Sequence, residues 1–296
     1  MQETDLHLIT TDRLYLPLFT EKNIEVDILR LDKIHPFVSG NKWFKLRYYL
    51  EAARTEGRKT ILTFGGAWSN HIIATAAACQ LNGFNSIGII RGEEAAELSP
   101  VLQQAKEMGM CLYFLNREDY THKKIPGMIA GNDHYIIPEG GYGIKGVEGA
   151  ATIPGYFTTN DYTHICCAAG TGTMTAGLLQ GVNSPTAIIA ISVLKNHTGL
   201  EKNITDLSRG TVASLQVIHD YHFGGYAKYK PELTGFMNDF FSQTGIPSDF
   251  VYTAKTFFAV NDLAQKNFFA AGSRLLVIHS GGLQGNASFK KGTLIF

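Results

Sequence analysis

The sequence predicts an α/β fold with parallel sheets covered on both faces, and three observations carry that expectation. Strand-like apolar runs alternate with helical patterns along most of the chain. Charged residues make up 18% of the 296 residues, against a usual share of about 25%, so much of the chain must be buried. Glycines, 31 in all, cluster just beyond the apolar runs. The strand-like runs are 60–64, 86–90, 111–115, 135–137, 164–168, 187–193 and 275–279. Between them lie helices such as 71–81, with Ala74, Ala77, Ala78 and Leu81 on one side, and 100–108, which Gly109 ends. At roughly 150 residues per domain the length suggests two domains. We place the smaller at 50–145 and the larger at 1–49 plus 146–296. The glycine-rich stretch from Asn132 to Ile153 reads as a crossover between them, and the helix starting at Asn41 as another.

Charge and composition exclude several classes. Lys and Arg number 26 and so do Asp and Glu, giving no basic field for nucleic acid. Four cysteines without CxxC spacing write neither a zinc ribbon nor a disulfide framework. His219 and His222 lack a third ligand, so no metal is expected. The first residues carry acids where a signal peptide needs a basic run, and no apolar run approaches the roughly 18 residues of a membrane span. The expectation is an unprocessed soluble protein of a reducing cytoplasm, without membrane partners.

Candidate chemistry sits where apolar runs meet glycine. In FVSGNKWFKLRYYLEAA a Ser-Gly-Asn turn opens a helix with Trp43, Leu46, Tyr49, Leu50 and Ala53 on one side. At about 100° per residue Lys42 falls on that same side, while Lys45 and Arg47 flank it. A lone lysine there can simply snorkel. The alternative is an imine-forming amine, whose neutral form at pH 7 costs roughly 4.6 kcal/mol from its free pKa unless burial lowers it. The run 60–64 enters Gly65 and Gly66, then Ser69, Asn70 and His71 open a helix; Ser69 reads as a cap and Asn70 as an amide facing a ligand. The run ICCAA enters Gly170, Thr171, Gly172, Thr173, Met174 and Thr175, a helix start whose N–H groups and hydroxyls suit a phosphate dianion. Its spacing fits neither GxxxxGK[ST] nor a full GxGxxG. LLVIH enters Ser280, Gly281 and Gly282. Loops at strand carboxyl ends share one mouth in open α/β sheets, so these segments are expected to converge.

Together GNKWFKL, GGAWSNH, AGTGTMTAG, VYTAK and IHSGG, in this order, resemble the pyridoxal-phosphate enzymes of the D-cysteine desulfhydrase and 1-aminocyclopropane-1-carboxylate (ACC) deaminase family. The resemblance implies a tryptophan-synthase-β-like fold (fold type II), pyridoxal 5'-phosphate as cofactor and a homodimer. It makes Lys42 the Schiff-base lysine, Asn70 the partner of the pyridine hydroxyl, and Ser69, Asn70 and His71 the segment meeting cofactor and substrate. Gly170, Thr171, Gly172, Thr173 and Met174 become the phosphate loop. Tyr252 matches the catalytic tyrosine, Tyr221 the second tyrosine facing the substrate, and Ser280 the partner of the pyridine nitrogen. ACC deaminases have Glu after the catalytic tyrosine and Leu before the final GG; Thr253 and Ser280 favour the desulfhydrase-like branch. The expected activity is β-elimination and deamination of a small amino acid to pyruvate and ammonia. ACC ring opening, a catalytically silent cofactor-binding relative and a nucleotide-dependent oxidoreductase are the alternatives; the last lacks an acid at Lys195 and Asn196, where a ribose would be bound.

Overall fold

The computed structural model describes residues 3–131, 133–182, 185–209 and 214–296. Its strands are β1 (Thr11–Arg13), β2 (Glu25–Arg30), β3 (Thr60–Gly66), β4 (Asn85–Arg91), β5 (Met110–Leu115), β6 (His134–Ile137), β7 (His164–Ala169), β8 (Ala187–Ser192), β9 (Leu215–Ile218) and β10 (Arg274–His279). Its α-helices are α1 (Pro17–Glu21), α2 (Asn41–Thr55), α3 (Asn70–Asn82), α4 (Pro100–Glu107), α5 (Arg117–Thr121), α6 (Ile144–Ala150), α7 (Thr173–Gly181), α8 (Leu200–Ser208), α9 (Pro231–Thr244) and α10 (Thr253–Gln265). One sheet has the order β5-β4-β3-β6 and the other β1-β2-β10-β7-β8-β9. All pairs are parallel except β1 with β2.

All seven apolar runs are strands, and three further strands lacked such a run. In β2 the pattern is interrupted by Asp27 and Arg30, both buried. Asp27 is held by the guanidinium of Arg13 and accepts a hydrogen bond from the Tyr162 hydroxyl at 2.9 Å. Arg30 pairs with Asp12 at 2.9 Å and Asp32 at 2.7 Å. A charged pair satisfied inside the sheet reads as loop to any hydrophobicity pattern. The third, β9, is a half-buried edge strand.

Helix α2 begins at Gly40, whose φ is +59°; a side chain there would lie 1.9 Å from the Ser280 carbonyl oxygen. Only glycine allows that approach. Asn41 N donates to the same oxygen at 3.2 Å, so the helix start is stitched to the turn after β10. Burial covers more of α2 than one stripe: Phe44 and Lys45 join Trp43, Leu46, Tyr49, Leu50 and Ala53. The reason is α6, which lies on α2 so closely that a side chain at Gly149 would come 2.0 Å from the Phe44 carbonyl oxygen. The stretch expected to be a bare crossover thus holds a helix, and Asn132 at its start lies outside the described residues. Leu81, expected on the packed side of α3, is 57% exposed.

One apolar cluster runs through both sheets, joining Ile61 and Ile137 to Ile165, Cys167, Ile188 and Ile278 through α2, α6 and α7. A second fills the opposite face of the larger sheet beneath α1, α9 and α10. The strands' carboxyl ends therefore face one another across α2, whose first turn is held between them.

Candidate active site

Three adjoining hollows meet at these strand ends, and Lys42 and Tyr252 line all three. The largest is a cleft of about 450 Å³ bounded by Gly66, Ser69, Asn70 and His71 on one side and Gly170, Thr171, Leu194 and Tyr226 on the other, with Arg91, Glu139 and Gly140 at its wall. A second hollow adjoins Gly170, Thr171, Gly172, Met174 and Thr175, and a third adjoins Ser280, Gly281 and Gly282.

Lys42 Nζ sits 3.0 Å from Asn41 Oδ1 and 5.9 Å from the centre of the Tyr252 ring. Burial lowers its pKa to about 8 against the opposing pull of the Asp249 carboxylate. At pH 7 the neutral amine is then much more accessible than for an exposed lysine. Lys45, one turn on, is buried and lines the second hollow with Gly170, Thr171 and Gly172, its Nζ 3.4 Å from the Gly140 carbonyl oxygen. Burial and the neighbouring Lys42 hold its pKa well below the ordinary lysine value. The helical wheel placed Lys45 at the flank of the stripe, and it could not see that α6 and the Gly140 turn close over that flank.

These two amines face the start of α7, where the first N–H groups have no partners within the helix and carry the positive end of its dipole. No carboxylate pairs with Lys45 among the described residues. An anion held by these N–H groups would favour the protonated form of both amines, as a buried phosphate dianion would. Within the expected loop, Thr173 differs from its neighbours: it is fully buried, and its hydroxyl turns to Thr171 Oγ1 at 3.1 Å instead of lining the hollow. Only its backbone is left to serve an anion. Thr175, one step further, does line the hollow.

Ser69 caps α3 through its side-chain oxygen, which accepts from His71 N at 3.2 Å and Ile72 N at 3.4 Å. The following Asn70 has a buried side-chain oxygen without a partner, as has His71 Nδ1. The Thr63 hydroxyl donates to the Ile137 carbonyl at 2.8 Å, so it accepts from His71 Nε2, also at 2.8 Å, and the lone pair of the ring falls on Nδ1. Burial and the two lysines hold His71 neutral, its pKa well below 6.5. Open polar positions beside an amine are rare in a satisfied interior and mark a place for a polar ring.

Tyr252 is set by a densely hydrogen-bonded turn. Asp249, fully buried, accepts from Val251 N and Tyr252 N at 3.0 Å each, from Thr253 N at 2.8 Å and from the Thr253 hydroxyl at 2.8 Å, while Asp249 N donates to Thr253 Oγ1 at 2.7 Å. The turn lays the Tyr252 ring against Gly170, and burial together with Tyr226 pushes the phenol's pKa well above 10. The Thr253 hydroxyl is consumed by Asp249, whereas that of Ser280, lining the third hollow, has no partner among the described residues.

The tyrosine beside Tyr252 is Tyr226, not Tyr221. The Tyr221 hydroxyl donates to Asp262 at 2.6 Å and its ring packs with Phe258 on the outer side of α10, away from the cleft. Tyr226 lines the cleft with its ring centre 6.4 Å from that of Tyr252. The loop presenting it is anchored from α10: Lys255 Nζ donates to the carbonyls of His222 and Gly225, both at 2.8 Å. The motif HDYHFGGYAK offers two tyrosines, and only the anchored turn decides which enters the site.

The family profile described as pyridoxal-phosphate dependent enzyme matches residues 6–281. A protein of Pyrococcus abyssi provisionally named 1-aminocyclopropane-1-carboxylate deaminase is 30% identical, over 92% of this chain and 88% of its own. The D-cysteine desulfhydrase of Klebsiella pneumoniae is 25% identical over 90% of each chain. A solved ACC deaminase homologue superposes with a TM-score of 0.81 at 28% identity, covering 94% of this chain and 90% of its own.

Proposed function

Because the chain belongs to the pyridoxal-phosphate dependent enzymes, we propose that it is a desulfhydrase-like lyase, removing the α proton and a β substituent from a small amino acid to give pyruvate and ammonia. The observation that supports this best is the position of Lys42 and Tyr252 on all three hollows: the large cleft suits an amino acid, the second hollow a phosphate and the third a ring.

The donor set fits the cofactor. The backbone from Gly170 to Met174, Thr171 and Lys45 would hold the phosphate, Asn70 the ring hydroxyl, Ser280 the ring nitrogen, and Lys42 the aldehyde carbon. When bound, that group supplies an electrophilic carbon for an amine and a ring that accepts electrons from the α carbon. The protein's own residues do the rest. The hydroxyl proton of Ser69 and the N–H of Asn70, which the cap leaves free among the described residues, bind the substrate carboxylate. Lys42 Nζ, released by the incoming amine, takes the α proton, and the protonated Tyr252 hydroxyl gives a proton to the departing group. Positioned proton transfer of this kind contributes about 10² to 10⁴ in rate. Ser280 offers the ring nitrogen a neutral hydroxyl, which leaves it less strongly charged than a carboxylate would.

ACC opening is the second reading, favoured by the names that similar proteins carry. Against it stands Thr253, whose side chain is locked to Asp249. Pyruvate release from D-cysteine, D-serine and L-cysteine beside 2-oxobutyrate release from ACC separates the two. Release of 2-oxobutyrate alone would overturn the first, and a yellow protein inert with all four would make it a silent binder. A cytoplasmic location, supported by four unpaired cysteines and the bacterial and archaeal relatives, and a homodimer, which the sequence resemblance implies, complete the reading. Among the described residues no helix is long and apolar enough to cross a membrane.

A further inference from the structure

The cleft has a wall that the mechanism above leaves unused. Arg91 ends β4, and its guanidinium lies 3.6 Å from where a side chain on Gly66 would begin, beside the turn that carries Ser69 and Asn70. It also stands 5.9 Å from the Tyr120 ring centre. Among the described residues no carboxylate pairs with it. The one acid on this wall, Glu139, is bonded to Lys123 Nζ at 2.5 Å, and Lys123 itself rests 3.9 Å over the Tyr120 ring. Lys123, behind the lining, thus neutralises Glu139, and the positive charge left on the wall belongs to Arg91.

An amino acid in this cleft has its carboxylate at the start of α3 and its nitrogen at Lys42. What remains to face Arg91 is the β substituent. We propose that the substrate's β substituent is an oxyanion, such as a phosphate or sulfate ester or a sulfonate, received by Arg91. Guanidinium is the side chain best matched to such groups, presenting two parallel N–H donors to two oxygens. The inference rests on the lyase reading and sharpens its substrate class. For a phosphate ester the α proton passes to Lys42, the bond from the β carbon to the ester oxygen breaks, and phosphate departs with that electron pair. One water then completes the balance to pyruvate, ammonia and phosphate.

The test is a matched pair, serine and O-phosphoserine, both enantiomers of each, with the holoenzyme and its Arg91→Ala and Arg91→Lys variants. Wild type should favour O-phosphoserine in kcat/KM. Arg91→Ala should lose about tenfold to a hundredfold on O-phosphoserine and less than about twofold on serine, with Arg91→Lys partly restoring the difference. Equal losses on both substrates would assign Arg91 to the α-carboxylate and overturn the inference, as would no loss at all. Turnover of D-cysteine with no preference for O-phosphoserine overturns the inference and leaves the lyase reading standing. If no amino acid is turned over, the lyase reading fails, and calorimetric titration of the same pair into the holoenzyme still decides whether Arg91 selects the oxyanion.

Discussion

The floor and the mouth of the site are built differently. At the floor, backbone meets backbone: Gly40 on Ser280, Gly149 on Phe44, and the start of α7 beside Lys45. At the mouth, Arg91, Glu139 and Tyr226 reach in as side chains from separate strands and loops. The floor fixes one chemistry because nothing in it can move without a clash. The mouth can change its ligand by changing one residue at a time, as loops on rigid scaffolds do.

The largest effect should come from breaking the floor at its reacting group. Lys42→Ala should lose the visible absorbance band and all turnover while keeping its far-ultraviolet dichroism; a variant that stays yellow and active would refute the assignment. Gly40→Ala comes next, costing about 1–3 kcal/mol in denaturant unfolding because the new methyl collides with Ser280, and weakening cofactor binding with it.

Lys45→Met divides stability from binding. Burial holds the folded pKa of Lys45 below its unfolded value, so the unfolded chain takes up the proton more readily and the lysine opposes folding at neutral pH. The variant's apoprotein should therefore melt higher than wild-type apoprotein at pH 7, with the gap closing as pH rises toward the ordinary lysine pKa. Its cofactor affinity should fall about tenfold to a hundredfold, as fluorescence titration would show.

Asp249→Asn changes a pH dependence. The carboxylate raises the pKa of Lys42 against desolvation, so its removal should shift the pH midpoint for cofactor capture by the apoprotein from about 8 to a lower value, followed by stopped-flow absorbance. A midpoint that stays or rises would mean the carboxylate's field does not reach the amine. The smallest effect is Tyr221→Phe, which should cost about 1 kcal/mol through the lost bond to Asp262 and leave kcat/KM within about twofold, whereas Tyr226→Phe should not.

What could be read from the sequence follows the same division. Lys42, Ser69, Asn70, Gly170 to Gly172, Tyr252 and Ser280 all adjoin the hollows, because short motifs at strand ends specify local backbone and the parallel fold gathers those ends. Lys45 was hidden because helical periodicity describes one neighbour at a time and α2 is enclosed by several. Tyr226 was hidden because the turn that presents it depends on Lys255, 29 residues away. Arg91 and Glu139 carried no local signal, since a charge at a strand end is ordinary until another segment comes opposite. The strand β2 was hidden by its own buried ion pairs.

The contact between Gly40 and Ser280 also bears on synthesis. The ribosome makes Lys42 before the turn that completes its helix start, which is translated 240 positions after Gly40. A nascent chain cannot offer the vitamin a finished seat until β10 and the turn after it have emerged. Polypeptides interrupted before β10 should neither colour nor compete for the cofactor, so the seat is finished by joining two segments far apart in the sequence.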